Sequence, residues 1–365
     1  MNKLEIAREK INKIDKQMAE LFCERMQAAE MVADYKKEMG LPIFDASREE
    51  TLIQNNSKLI DDSTYRAYYI NFLRDVMKIS RSYQHKLLNG MKVAYSGVEG
   101  AFAHIAAGKI FEDSQRVAFP NFSEAYRAVV DGECDCAVLP IENSSAGEVG
   151  QVIDLIFSGS LYVNGIYELS VSQNLLGLPD AEISDIKRVF SHIQALEQCN
   201  NYIRDHEFDA VMSDNTAIAA RHVAEANEKS NAAIASTETA MLYGLKVLDS
   251  NINESHVNTT RFAVLSRSQH IKSSNQTDNH SIILFTVRDE ASALAKAINV
   301  IGNHKFNMRS LRSRSMKNLL WKYYFYIELE GNVNSEDGKL MLKELSEFCD
   351  KLKVAGSFYD HIDLK

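Results

Sequence analysis

Between residues 3 and 39 the apolar positions Leu4, Ala7, Ile11, Ile14, Met18, Leu21 and Phe22 recur every three or four residues. That is one stripe on a helix. Gly40 and Pro42 stop it. At about 1.5 Å per residue the helix spans about 55 Å, too long for a lone 90-residue domain to cover. The stripe therefore calls for partner helices from a second chain. A second helix follows, capped by Asp45 or by Ser47 with Glu50, and runs to about Leu59. Asp61, Asp62 and Ser63 then cap a third, from about Thr64 to Leu88. With no alternating pattern in between, residues 1–90 read as an all-α unit.

The pattern changes at Asn89-Gly90. Met91–Tyr95, Cys134–Ile141, Arg188–Phe190 and Ala210–Met212 read as strands, each running into a turn of hydroxyl, amide or glycine residues and then a helix. Strands alternating with helices predict a two-lobed α/β domain with parallel strands over residues 91–267. Ligands in such sheets sit beyond the carboxyl ends of the strands, where helix N-termini offer free N–H groups to an anion. The Ser96–Gly100 turn lacks GxGxxG, so it is no dinucleotide fingerprint. Residues 268–280 are polar and read as a linker. Beyond them come strand Ile282–Val287, helix Ser292–Ile301, strands Met308–Arg314 and Lys322–Leu329, helix Glu336–Phe348 and a last strand around Ser357–Ile362. That order, β-α-β-β-α-β over residues 281–365, is ferredoxin-like.

Composition narrows the function class. The chain has 365 residues, 45% hydrophobic and 25% charged, enough for two or three domains. A net charge of −9 argues against nucleic-acid or anionic-membrane partners. Residues 1–90 are near neutral, with 15 Lys+Arg against 14 Asp+Glu, so an anionic ligand must be held by local groups. No apolar run reaches membrane-spanning length. The cysteines Cys23, Cys134, Cys136, Cys199 and Cys349 fit neither a redox pair nor a zinc site. They read as reduced thiols in a cytoplasmic protein without metal or cofactor.

On the first helix Arg25 and Lys36 lie eleven residues apart, within about 20° around the axis and about 16 Å along it. They can grip one small anion between them. Arg8 lies about 25 Å before Arg25 and about 100° round. It is either a solvated arginine or part of a site on a partner subunit. Ser80 and Gln84 share a face of the third helix, as Asp45 and Glu49 do on the second, with Arg48 beside them.

Together these residues have the spacing of the small all-helical chorismate mutases, which residues 1–90 resemble. The resemblance implies an intertwined dimer in which each pocket borrows an arginine from the other chain. It implies that Arg8 and Arg25 take the carboxylates of chorismate. Lys36 and Gln84 would donate to the breaking ether oxygen and Glu49 would accept from the ring hydroxyl, with Asp45, Arg48 and Ser80 completing the shell. The rearrangement to prephenate is pericyclic, so the site must compress the substrate and support charge on oxygen, with no nucleophile.

Residues 91–267 resemble prephenate dehydratase in five stretches: Ser96–His104, Pro140–Ser145, Ser191–Gln194, Tyr243–Leu248 and Asn258–Phe262. The resemblance implies loss of carbon dioxide and hydroxide from prephenate to give phenylpyruvate, with Thr260 essential. Thr260 is too weak an acid to ionise, so it is expected as an oriented donor to the leaving hydroxyl. Arg261 is expected at a substrate carboxylate, beside Phe262, with Asn143, Ser191 and Thr216 as donors at the strand ends. Glu142 and His192 stand equally as general acids or structural hydrogen-bonders. His104 is expected to pack.

Residues 281–365 resemble the phenylalanine-binding ACT domain that follows the dehydratase in this family. Ser292-Ala293-Leu294 stands for its Gly-Ala-Leu, and Arg312-Ser313-Arg314-Ser315 for its Glu-Ser-Arg-Pro. Ala293, Leu294, Asn307, Ser313 and Arg314 are therefore the expected effector contacts. The whole chain resembles the bifunctional chorismate mutase–prephenate dehydratases. Its expected partners are chorismate, prephenate, a phenylalanine effector and at least one further copy of itself. The rival class is a two-lobed small-molecule receptor dimerised by its helices.

Overall fold

The computed structural model describes residues 2–255, 258–269, 279–316, 322–359 and 362–364. It divides into two compact units, Met1–Lys92 with Asp113–Gln115, and Val93–Glu112 with Arg116–Lys365.

The first unit is three helices, α1 (Lys3–Met39), α2 (Ala46–Ser57) and α3 (Ser63–Asn89). Asn2 and Glu5 form a capping box on α1, and Gly40 ends it in the left-handed conformation at φ 63°. Asp45, not Ser47, caps α2 through the Arg48 amide, and Asp62 caps α3. Arg25 meets Ser80, and Tyr83 meets Glu30, so α1 and α3 run in the same direction. Ala29 and Ala33 of α1 are buried, as are Ile53 of α2 and Leu73 and Met77 of α3. The stripe from Leu4 to Phe22, expected to be buried, is not covered by its own chain: Leu4 is 56% exposed and Leu21 63%. Within the chain the buried positions of α1 are confined to its carboxyl-terminal part, at Ala29 and Ala33.

The second unit opens with β1 (Lys92–Ser96), α4 (Phe102–Ile110), β2 (Gln115–Phe119), α5 (Phe122–Val130), β3 (Cys136–Asn143), β4 (Gly147–Glu148), α6 (Gly150–Ser158) and β5 (Tyr162–Ser170). The chain then builds a second lobe from β6 (Asn174–Gly177), β7 (Arg188–Ser191), α7 (Ile193–Gln198), α8 (Asn200–Asp205), β8 (Asp209–Met212), α9 (Thr216–Ala226), β9 (Asn231–Ala235), α10 (Thr237–Tyr243) and β10 (Lys246–Asp249). It returns to the first lobe as β11 (Thr259–Ser266). The first sheet has the order β16-β5-β11-β3-β1-β2 with β4 on β3, and the second β10-β6-β9-β7-β8. Both are mixed, not parallel as expected. β1 and β3 are parallel, but β11 runs antiparallel to β3 and β5, because it closes the lobe the chain had left.

The remaining elements are β12 (His280–Val287), α11 (Ala293–Asn303), β13 (Asn307–Ser315), β14 (Tyr323–Glu330), α12 (Glu336–Ser346), β15 (Cys349–Phe358) and β16 (Ile362–Leu364). They give the expected ferredoxin-like order, with an antiparallel sheet β13-β14-β12-β15. The last strand of that sheet starts at Cys349, earlier than expected, and Ile362–Leu364 pairs with β5 of the first lobe instead. The ferredoxin-like part shares a core with that lobe. Ile282, Leu284, Tyr324, Tyr326 and Phe358 pack with Leu139, Val163 and Ile166, and Phe157 of α6 stacks on Tyr324 at 4.1 Å. Most of the expected linker, 270–278, lies outside the described residues.

Candidate functional sites

In the helical unit the half-buried Arg25 guanidinium donates to the Ser80 hydroxyl and, at 3.4 Å, to the Val76 carbonyl. Both partners are neutral, and burial lowers the Arg25 pKa. Among the described residues no ion pair balances this partly desolvated charge. Gln84, one turn beyond Ser80, is buried, and its side-chain carbonyl has no protein partner. Lys36 donates to the Ile43 carbonyl at 2.5 Å, on the loop that ends α1. Glu49 is bound by Arg81, which sequence reasoning had passed over and which also lies over the Phe44 ring at 5.2 Å. Asp45 serves as the α2 cap, while Arg48 and Arg8 are exposed. So Arg25 meets Ser80, Gln84 follows one turn further along α3, and Arg8 is exposed.

In the second unit a cavity of about 690 Å³ separates the two lobes. Thr260 and Phe262 of β11 line it, and they share a face because alternate strand residues do. The Asn143 amide lies at the end of β3. Its oxygen accepts from the backbone of Ser145 and Ala146, each at 2.9 Å, so its nitrogen must be the donor. That nitrogen reaches the Thr260 hydroxyl and the Asn258 side-chain oxygen, each at 2.9 Å. Asn258 in turn donates to the Gln198 side-chain oxygen at 3.0 Å, and Gln173 does so at 3.4 Å. Gln198 also lines the cavity, and with its oxygen so engaged its NH₂ is left as the donor. Thr216 lines the opposite lobe at the start of α9, and His192 caps α7 through its Nδ1. Val149, Gly150 and Gln151 bring the N-terminus of α6 to the wall.

The sequence bears directly on what these two sites are. The chorismate mutase type II family matches residues 7–85, and the prephenate dehydratase family residues 93–270. The bifunctional chorismate mutase/prephenate dehydratase of Escherichia coli (strain K12) is 30% identical over 372 residues, 98% of this chain and 96% of that one. This chain belongs to the bifunctional chorismate mutase/prephenate dehydratases. Among solved structures, a prephenate dehydratase from Arthrobacter aurescens in complex with L-Phe matches 74% of this chain and 90% of its own. Its TM-score is 0.68 at 26% identity. GqqA, described as a novel type of quorum quenching acylase, matches 73% of this chain and 97% of its own, with TM-score 0.68 at 29% identity.

The helical unit is thus the mutase domain, and the two-lobed cavity belongs to the dehydratase domain. Within the dehydratase two expected contacts fall elsewhere. Arg261, next to Thr260 on β11, points to the opposite face. There it binds Glu328 through two nitrogens at 3.1 and 2.9 Å and Glu142 at 2.9 Å, with Glu168 at 3.7 Å. Burial works against its charge, but the Glu328 carboxylate more than offsets that and its pKa is raised. It cannot also serve a substrate in the cavity. Ser191 is fully buried and donates to the Ile234 carbonyl at 2.6 Å, locking β7 to β9. Glu142 is gripped by Arg261 and Arg312.

The expected effector contacts also separate. Along β13 exposed and covered residues alternate, so Ser313 and Arg314 face opposite ways. Arg314 binds Asp154 at 3.1 Å, the Tyr324 hydroxyl and Glu148. Asn307 donates to Glu330 at 2.9 Å, Ala293 is buried in the first turn of α11, and Leu294 packs against the core beside it. Among the described residues no group of His, Cys, Asp and Glu is placed to hold a metal, no helix is long and apolar enough to cross a membrane, and none of the five cysteines is in a disulfide. Gln198 and Asn258 were missed as site residues, although Asn258 opens the Asn258–Phe262 motif. Arg81 carried no motif at all.

Proposed function

We propose that the two domains act in sequence through the residues described above, with chorismate rearranged in the helical unit and the resulting prephenate dehydrated between the lobes. In the mutase site Arg25 binds one carboxylate of chorismate, and Arg8 of a second copy binds the other as a bidentate pair. Lys36 and the Gln84 amide donate to the ether oxygen as its bond to carbon breaks. Glu49, with Arg81 behind it, accepts from the ring hydroxyl, and Asp45, Arg48 and Ser80 complete the shell. The observation that carries this reading is the half-buried Arg25 cation with only neutral partners. The exposed apolar face of α1 supports the second copy, since an uncovered run of that size marks an interface.

In the dehydratase site the ring carboxylate leaves as carbon dioxide. Its bonding electrons move through the ring, the bond from ring carbon to hydroxyl oxygen breaks, and that oxygen departs with the bonding pair as hydroxide, to be protonated by solvent. Thr260, with one lone pair filled by Asn143, turns its O–H toward the leaving oxygen. Gln198 and the α6 N-terminus offer N–H groups to the pyruvyl carboxylate, and Thr216 closes the site from the other lobe. No cofactor is needed, because aromatisation drives the step. The ferredoxin-like part serves as an ACT-type sensor for phenylalanine, a reading supported by its strand order and by the L-Phe complex of the Arthrobacter relative.

The test is turnover of chorismate by the purified full chain, following prephenate and phenylpyruvate by ultraviolet absorbance, with and without phenylalanine. Both products should form in order, and phenylalanine should slow the second step. Binding of chorismate and prephenate without turnover would instead fit a receptor.

A further inference from the structure

We propose that Arg312 is a positioning residue for the dehydratase reaction, holding the turn that presents Asn143 to Thr260. The inference rests on the reading that these two residues form the dehydratase centre. β3 and β4 make a tight hairpin in which Glu142 pairs with Glu148 and Asn143 with Gly147. Two carboxylates therefore stand opposite each other across the strands, an arrangement that by itself pushes strands apart. Arg312 comes from β13 of the ferredoxin-like sheet and reaches both. One terminal nitrogen binds Glu142 and the other lies 3.9 Å from Glu148, while its Nε is steadied by the Ser310 hydroxyl at 3.0 Å.

The hairpin is also the cavity wall. Asn143 uses its oxygen to close the 143–146 turn and its nitrogen to hold Thr260. If Glu142 and Glu148 spread, the turn and the Thr260 hydroxyl move together. Arg314, two residues on and on the same face, fixes the far end by bridging Glu148 to Asp154 of α6. Gly150 leaves the room this needs, since a Cβ there would collide with the Arg314 guanidinium. The pair of arginines thus ties one edge of the C-terminal sheet to the floor of the active cavity.

The experiment compares Arg312→Gln, Arg312→Lys, Arg312→Gln/Glu142→Gln and Thr260→Ala as full chains, with kcat and KM for prephenate, mutase rate and thermal midpoint. Arg312→Gln should lower dehydratase kcat tenfold or more, by roughly the cost of misplacing a reacting group, with KM within about twofold and mutase unchanged. Arg312→Lys should recover part of the loss. Adding Glu142→Gln should restore kcat toward wild type, because the repulsion that Arg312 relieves is gone. Wild-type kcat in Arg312→Gln would overturn the proposal. So would a loss that Glu142→Gln does not relieve and that follows the drop in thermal midpoint. Full dehydratase activity in Thr260→Ala would overturn the underlying site reading instead.

Discussion

The side-chain amide of Asn143 donates to the hydroxyl of Thr260 across 2.9 Å, and it does so in one orientation only, because its oxygen is taken by two backbone amides. A threonine that accepts from a fixed donor keeps its own proton for the ligand. Thr260→Val, which preserves shape and removes that proton, should lower dehydratase kcat by about a hundredfold to a thousandfold. Prephenate formation from chorismate should be untouched. Asn143→Ala should cost nearly as much, and the double variant little more than either alone, since the pair acts as a unit. Steady-state rates on supplied prephenate decide this; fully additive losses would mean independent roles.

Arg25 offers the mirror-image test. Arg25→Ala should remove chorismate turnover by at least two orders of magnitude and leave dehydration of supplied prephenate unchanged. Arg25→Lys should recover little, because one ammonium cannot reproduce a guanidinium fork on a carboxylate. Loss of both activities in a folded protein would refute separate sites.

Gln84 is buried and neutral. The wild-type mutase rate should therefore vary little with pH around neutrality. In Gln84→Glu the new side chain can donate to the ether oxygen only when protonated, and burial favours that form. Its rate should climb as pH falls below neutrality, which a pH profile of chorismate consumption would reveal; a flat profile would exclude a donor role.

The uncovered α1 face predicts assembly. Ile14→Asp with Leu21→Asp, at positions 52% and 63% exposed in the single chain, should drive the protein to monomer in light scattering. Mutase activity should vanish because Arg8 of the other copy is lost, while the dehydratase persists. A wild-type protein that is monomeric at micromolar concentration would contradict this.

Lys353 of β15 donates to the carbonyls of Ile156 and Gly159 at the end of α6. Burial, and then the neighbouring Lys351, push its pKa down from 10.5 to about 8. Below about pH 8 the folded protein bears the cost of a buried charge. Between 8 and 10.5 the unfolded chain binds more protons than the folded one, so stability rises with pH over that window. Relative to Lys353→Met, wild type should gain thermal stability from pH 8 to 10.5. An unchanging difference would show that Lys353 titrates normally.

Much of this architecture is already written along the chain. Helix starts are announced by Asp45 and Asp62, the stop at Gly40 needs no tertiary partner, and the stripe from Leu4 to Phe22 shows as a helical period of apolar residues. Thr260 is marked by its motif, and Arg25, Ser80 and Gln84 by helical spacing. These are local properties, set by backbone geometry within a few residues. Alternation was legible too and was not applied: adjacent strand residues cannot both enter one cavity, which separates Arg261 from Thr260 and Ser313 from Arg314. Other features depend on residues far apart in sequence. Gln198 becomes a site residue only because Asn258, sixty positions later, holds its oxygen, and Arg312 meets Glu142 across 170 positions. Which polar group faces substrate and which is spent on a protein partner is decided by packing, because a buried charge or amide must be satisfied by whatever the fold brings beside it.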